Sequence, residues 1–172
     1  SEVVGNAAGI TYDALARTVT IKVTDEGQGS LVAKTSVDGS ATFANVYKAE
    51  PVSYSVTRDV KVSKTLTGRG LRAGEFEFEL VENGKVVATA PNDAEGNVNF
   101  DALEYDEAGT HTYVVREAKD SLKGVTYDSS EHVVTVSVTD DGSGRLSAKA
   151  TSADGQIVFK NAYSAAPTSI TF

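Results

Sequence analysis

Lys64, Glu117 and Asn161 stand where strand alternation puts core residues. In Val60-Lys61-Val62-Ser63-Lys64-Thr65-Leu66, alternation groups Val60, Val62, Lys64 and Leu66 on one face and Lys61, Ser63 and Thr65 on the other. Tyr113-Val114-Val115-Arg116-Glu117 groups Glu117 with Tyr113 and Val115. In Phe159-Lys160-Asn161-Ala162-Tyr163, Asn161 shares a face with two aromatics. A buried charge or amide is costly unless paired, and these three can satisfy one another. An amine, a carboxyl and a carboxamide in one β-rich domain suggest a covalent side-chain cross-link rather than a pocket. Blander readings stand beside this one. A shifted register makes Lys64 a surface lysine, Glu117 alone suits a rim carboxylate, and Asn161 alone suits an amide at a strand end. Lys61 competes as the lysine but reads outward.

The elements that must position these residues read as all-β. Val, Thr, Gly, Ala and Ser are abundant, and long helical patterns are missing. Strands are expected at 52–67, 75–81, 85–89, 97–100, 110–118, 132–139, 144–151 and 156–163, and also at 18–24, 29–35 and 40–47. Turn signals separate them, among them Asn83-Gly84, Asn92-Asp93-Ala94-Glu95-Gly96 and Asp154-Gly155. Many short strands at this spacing suggest an immunoglobulin-like β-sandwich.

The chain of 172 residues holds no Cys, Met or Trp, so neither disulfides nor thiol chemistry are available. A net charge of −8 argues against nucleic acid and anionic membrane as partners. No apolar run approaches the roughly 20 residues of a membrane span. No signal peptide or sorting signal is evident, so the chain reads as cytosolic or as part of a longer exported protein.

Residues 9–47 and 124–163 are one sequence written twice, identical at over half of the aligned positions, with Ala150 inserted in the second copy. The offset of 115 before the insertion aligns Glu2 with Glu117, and the offset of 116 after it aligns Asn45 with Asn161. The expected organisation is the C-terminal part of one repeat at 1–48, a complete repeat at 49–164 and the start of another at 165–172. The first part holds Glu2 and Asn45, an incomplete half-site with no lysine strand of its own. It is expected to stay partly disordered, to pair with another molecule, or to exchange strands with a second copy.

Several segments carry a resemblance: Ser63-Lys64-Thr65-Leu66-Thr67-Gly68, Ala73-Gly74-Glu75-Phe76-Glu77-Phe78-Glu79-Leu80, Glu95 to Phe100, Ala108 to Glu117, and Phe159-Lys160-Asn161-Ala162-Tyr163. Together they resemble the pilin isopeptide-linkage domain of Gram-positive surface proteins. The resemblance implies a β-sandwich with first and last strands adjacent, in which a lysine condenses with an asparagine and ammonia leaves. It implies Lys64 as nucleophile, Asn161 as acceptor and Glu117 as the promoting acid. It also implies a cell-surface stalk module whose neighbours are repeats of the same protein. Neither a sortase pentapeptide nor a convincing pilin lysine motif is evident, so an adhesin stalk fits better than a pilus shaft.

Such a reaction needs an unprotonated amine, and burial lowers a lysine pKa while raising that of a glutamate. A neutral Glu117 is then expected to donate to the Asn161 carboxamide oxygen and to shuttle protons. This is a single turnover without cofactor, not an enzyme acting on outside substrate. The competing reading is a ligand-binding sandwich recognising host protein or glycan, with Tyr105, Tyr127 and Tyr12 as exposed aromatics. Thr-Tyr-Asp recurs at Thr11-Tyr12-Asp13 and Thr126-Tyr127-Asp128, which suggests architecture instead. No metal site is expected. The acidic loops at Asp25 and Asp140 lack an EF-hand ligand sequence, and His111 and His132 read as solvated strand histidines without metal-ligand spacing.

Overall fold

The computed structural model describes residues 1–168. The end of the expected segment 165–172 lies outside the described residues. The described residues form strands, turns and one 3-10 turn, with no α-helix and no helix long and apolar enough to cross a membrane. The chain divides into two compact units, Ser1–Glu50 with Gly142–Arg145, and the remainder.

In the first unit, β1 (Ile10–Thr11) pairs antiparallel with β4 (Val46–Tyr47), and β2 (Val19–Asp25) pairs with β3 (Leu31–Val37). The strand expected at 40–47 is reduced to β4. Val19, Ile21, Val23 and Leu31 share one face of the β2–β3 hairpin by alternation and register, and each is exposed.

The second unit begins with β5 (Val52–Tyr54), then the 3-10 turn Val56–Arg58, then β6 (Val62–Thr67). The single strand expected over 52–67 is therefore broken. Ser55 caps the turn by accepting from Thr57 N and ties it down by donating to the Phe100 carbonyl at 2.7 Å. Strands β7 (Glu77–Glu82), β8 (Lys85–Pro91), β9 (Asn97–Val98), β10 (Leu103–Tyr105) and β11 (Gly109–Glu117) follow. The unit closes with β12 (Val125–Thr126), β13 (Glu131–Asp140), β14 (Leu146–Thr151) and β15 (Ile157–Tyr163). β10 and β12 fall outside the sequence expectation because each is too short to show alternation.

One sheet has the order β14-β13-β11-β7-β8, a second β12-β15-β6-β9, and β10 pairs with β5. Side chains from the two larger sheets meet, as in a β-sandwich. Phe78 of β7 packs on Phe159 of β15 with ring centroids 5.1 Å apart. Phe78, Leu80, Val115, Val134, Val136, Ile157 and Phe159 are fully shielded from solvent. The strand carrying Lys64 and the strand carrying Asn161 are hydrogen-bonded neighbours and run parallel, with Phe159 opposite Lys64 and Asn161 opposite Leu66.

Candidate cross-linking site

Alternation delivers the three polar side chains inward. Val60, Val62 and Lys64 are buried together, as are Tyr113, Val115 and Glu117, and so are Phe159 and Asn161. Lys61 is exposed, which removes it as the competing lysine. The backbone around Lys64 is held by Gly96, whose carbonyl accepts from Lys64 N at 2.6 Å. Gly96 sits at φ +86°, and a Cβ there would lie 2.2 Å from the Lys64 carbonyl oxygen, so only glycine lets the two backbones approach.

Glu117 reaches across from the opposite sheet and engages the other two with separate oxygens. Lys64 Nζ donates to Glu117 Oε2 at 2.8 Å, and Asn161 Nδ2 donates to Glu117 Oε1 at 2.7 Å. The Lys64 and Glu117 side chains are 0% and 1% exposed. Lys64 Nζ also lies over the Phe76 ring, 4.6 Å from its centroid. Burial pushes the Lys64 pKa down, against the pull of Glu117. Burial likewise pushes the Glu117 carboxyl up, against its bonds to Lys64 and Asn161. Both shifts favour sharing one proton in a neutral amine–carboxylic acid pair over a buried ion pair.

The carboxamide orientation differs from expectation. Asn161 Oδ1 accepts from the main-chain N–H of Asp128 at 2.7 Å. A backbone N–H only donates, so it must face the oxygen, and the amide nitrogen is left facing Glu117. Glu117 therefore stands beside the amide nitrogen, and the carbonyl oxygen is held by the Asp128 N–H. The sequence reading missed Asp128. Its one signal was the recurrent Thr-Tyr-Asp.

The first unit brings Glu2 and Asn45 together in the same way. Asn45 Nδ2 donates to Glu2 Oε1 at 2.8 Å, and Asn45 Oδ1 accepts from Asp13 N at 2.9 Å. Glu2 Oε2 is buried and has no hydrogen-bond partner among the described residues. It corresponds to the Glu117 oxygen that receives Lys64. An orphaned buried carboxylate oxygen is rare and costs on the order of 1–3 kcal/mol.

The three tyrosines expected to be exposed for ligand binding are not exposed. Tyr105 is buried, and its hydroxyl shares a 3.0 Å bond with that of Tyr113. Tyr127 and Tyr12 are half-buried, each accepting through its hydroxyl from a backbone N–H, of Leu122 at 3.2 Å and of Ala7 at 3.4 Å. The histidines are half-buried rather than solvated: His111 pairs with Glu82 at 2.9 Å and His132 with Asp154 at 2.8 Å.

A cleft of about 570 Å³ opens beside this centre, lined by Arg116, Glu117, Tyr127, Asp128 and Ser130 among others. The arrangement buries an amine and a carboxamide on the two oxygens of one carboxyl group. The comparison with curated proteins finds no match. The model of one family, described as the FctA, Spy0128-like isopeptide containing domain, matches residues 1–48 and 60–164. With a buried Lys–Glu–Asn set at its centre, this chain belongs to the family of Spy0128-like isopeptide containing domains.

Proposed function

We propose that the second unit is a structural stalk module of an extracellular bacterial adhesin or pilin, stapled by an isopeptide bond between Lys64 and Asn161 that the protein forms by itself. The observation that carries this is the single buried carboxylate of Glu117, which holds the amine and the carboxamide at once. Neutral Lys64 Nζ attacks Asn161 Cγ, the Cγ–Nδ2 bond breaks, and ammonia leaves, with the cleft beside Glu117 as its way out. Glu117, a neutral acid at the start, gives its proton to the departing nitrogen and takes one from the attacking nitrogen, so it ends as it began. The reaction runs once per molecule and needs no cofactor.

The value of such a bond is mechanical as well as thermodynamic. Lys64 and Asn161 are 97 positions apart. Closing a loop of that size restricts the unfolded chain by about 4.7 kcal/mol in the chain-entropy account. Because β6 and β15 lie side by side near the two ends of the unit, a pull along the chain passes through the covalent link. The sandwich between them is bypassed. This suits a surface module of immunoglobulin-like design that repeats along a stalk, with the first unit as the C-terminal part of a second copy. The first unit is read as a receiving half whose Glu2 Oε2 and bare apolar face accept a strand of the Val60–Thr67 type, lysine included. Digestion of the folded protein followed by fragment sequencing tests the staple. A branched peptide joining Lys64 to Asn161 is expected, and recovery of both residues in separate linear peptides would sink the proposal.

A further inference from the structure

We infer that the main-chain N–H of Asp128 is a catalytic group of the cross-linking reaction, the donor that takes up the charge forming on the Asn161 carboxamide oxygen. The inference rests on the reading of Lys64 and Asn161 as reacting partners, and adds to it the group that makes Asn161 electrophilic.

When Lys64 Nζ adds to Cγ, the carbonyl π electrons move to Oδ1. They return when Cγ–Nδ2 breaks and ammonia departs. Glu117 sits at the nitrogen side of the amide and cannot serve that oxygen in the same pose. The Asp128 N–H points at Oδ1 from 2.7 Å, within the range of a donor that stabilises an oxyanion.

The loop is built to hold this donor still. Val125 opposite Tyr163 and Thr126 opposite Ala162 dock β12 on the strand that carries Asn161. Gly124, at φ +79°, makes the entry possible, since a Cβ there would lie 2.6 Å from the Ser164 carbonyl oxygen. The Asp128 carboxylate then closes the turn. Its Oδ1 accepts from Ser130 N at 2.9 Å and its Oδ2 from Lys160 N at 2.8 Å, the residue just before Asn161. Burial acts to raise its pKa, but these bonds outweigh it and keep the carboxyl below its ordinary value. Its negative charge also favours the neutral form of Glu117.

The same bonds occur at the other Thr-Tyr-Asp. Asp13 N donates to Asn45 Oδ1 at 2.9 Å, Asp13 Oδ1 accepts from Leu15 N at 2.9 Å, and Asp13 Oδ2 accepts from Ala44 N at 3.3 Å. A motif that repeats its bonds to an asparagine beside a glutamate is tied to that asparagine, beyond shaping a turn.

The test removes the N–H and keeps the side chain. Cell-free synthesis with the α-hydroxy analogue of aspartate at position 128 turns that amide into an ester, and intact mass followed over time reads the loss of ammonia. The expected result is cross-linking slowed about 100-fold in protein that still folds, in line with loss of one oxyanion donor. An ester at Ser130 removes a neighbouring turn bond instead and is expected to leave the rate within a few-fold of the unaltered chain. Equal rates for the 128 ester and the unaltered chain, or equal slowing by both esters, would overturn the inference. Should the 128 ester not fold, NMR of folded Glu117→Ala decides. A through-hydrogen-bond coupling between the Asp128 amide and Asn161 Cγ supports the inference, and its absence overturns it. If the unaltered chain never loses ammonia, the cross-linking reading fails, and this result is separate from the ester comparison.

Discussion

Lys64 and Asn161 stand two positions out of register on adjacent parallel strands, on the same inward face, and one carboxylate from the opposite sheet spans both. The offset lets the long lysine and the short asparagine side chain reach a common point.

Glu117→Ala removes the carboxyl proposed to carry the proton while leaving the apolar core around it. The variant is expected to fold, to retain the full sequence mass, and to lose about 4.7 kcal/mol, the loop-closure contribution. Denaturant titration against the unaltered chain measures this. A loss below about 1 kcal/mol would show that no cross-link contributes.

Gly96→Ala places a Cβ against the Lys64 carbonyl, at a backbone angle costly for any side chain. Stability should drop by about 1–3 kcal/mol, and cross-linking in newly made protein should slow because β6 shifts at Lys64. Thermal melts and mass time courses read the two effects separately.

Asp128 has a folded-state pKa below its ordinary value of 3.8. Its carboxylate therefore contributes stability that is fully present above that value and is lost as pH falls through the folded pKa. In the unlinked Glu117→Ala background, Asp128→Asn should be less stable than its parent at pH 6. The gap should close as pH falls through the lowered folded-state pKa. A gap that stays constant with pH would mean that the carboxylate does not act through its ionised form.

The half-site of the first unit should take a lysine strand. A synthetic peptide copying residues 57–69 is expected to add to the protein with loss of one ammonia, at Asn45. Asn45→Ala and a peptide with arginine in place of the lysine should both abolish addition. Addition that survives Asn45→Ala would place the chemistry elsewhere.

The inward placement of Lys64, Glu117 and Asn161 was legible because each lies in a strand long enough to show alternation. Pairing across sheets was legible only as an inference from the cost of burying three polar groups. The break between Val52 and Thr67 was not, since Ser55 acts by hydrogen-bonding to Phe100, far away in sequence. Tyr105 was misjudged because Leu103–Tyr105 is too short to reveal its inward face, which only its pairing with Val52–Tyr54 sets. The Asp128 donor was hidden for a different reason. A backbone N–H has no side-chain signature, and the recurrent Thr-Tyr-Asp showed a constraint without showing what it served.

Intact mass spectrometry of the folded, purified chain decides whether Lys64 and Asn161 become one amide. The prediction is a mass one ammonia below that of the sequence, with Glu117→Ala and Asn161→Ala each returning to the full sequence mass. A folded unaltered chain at its full sequence mass would contradict it.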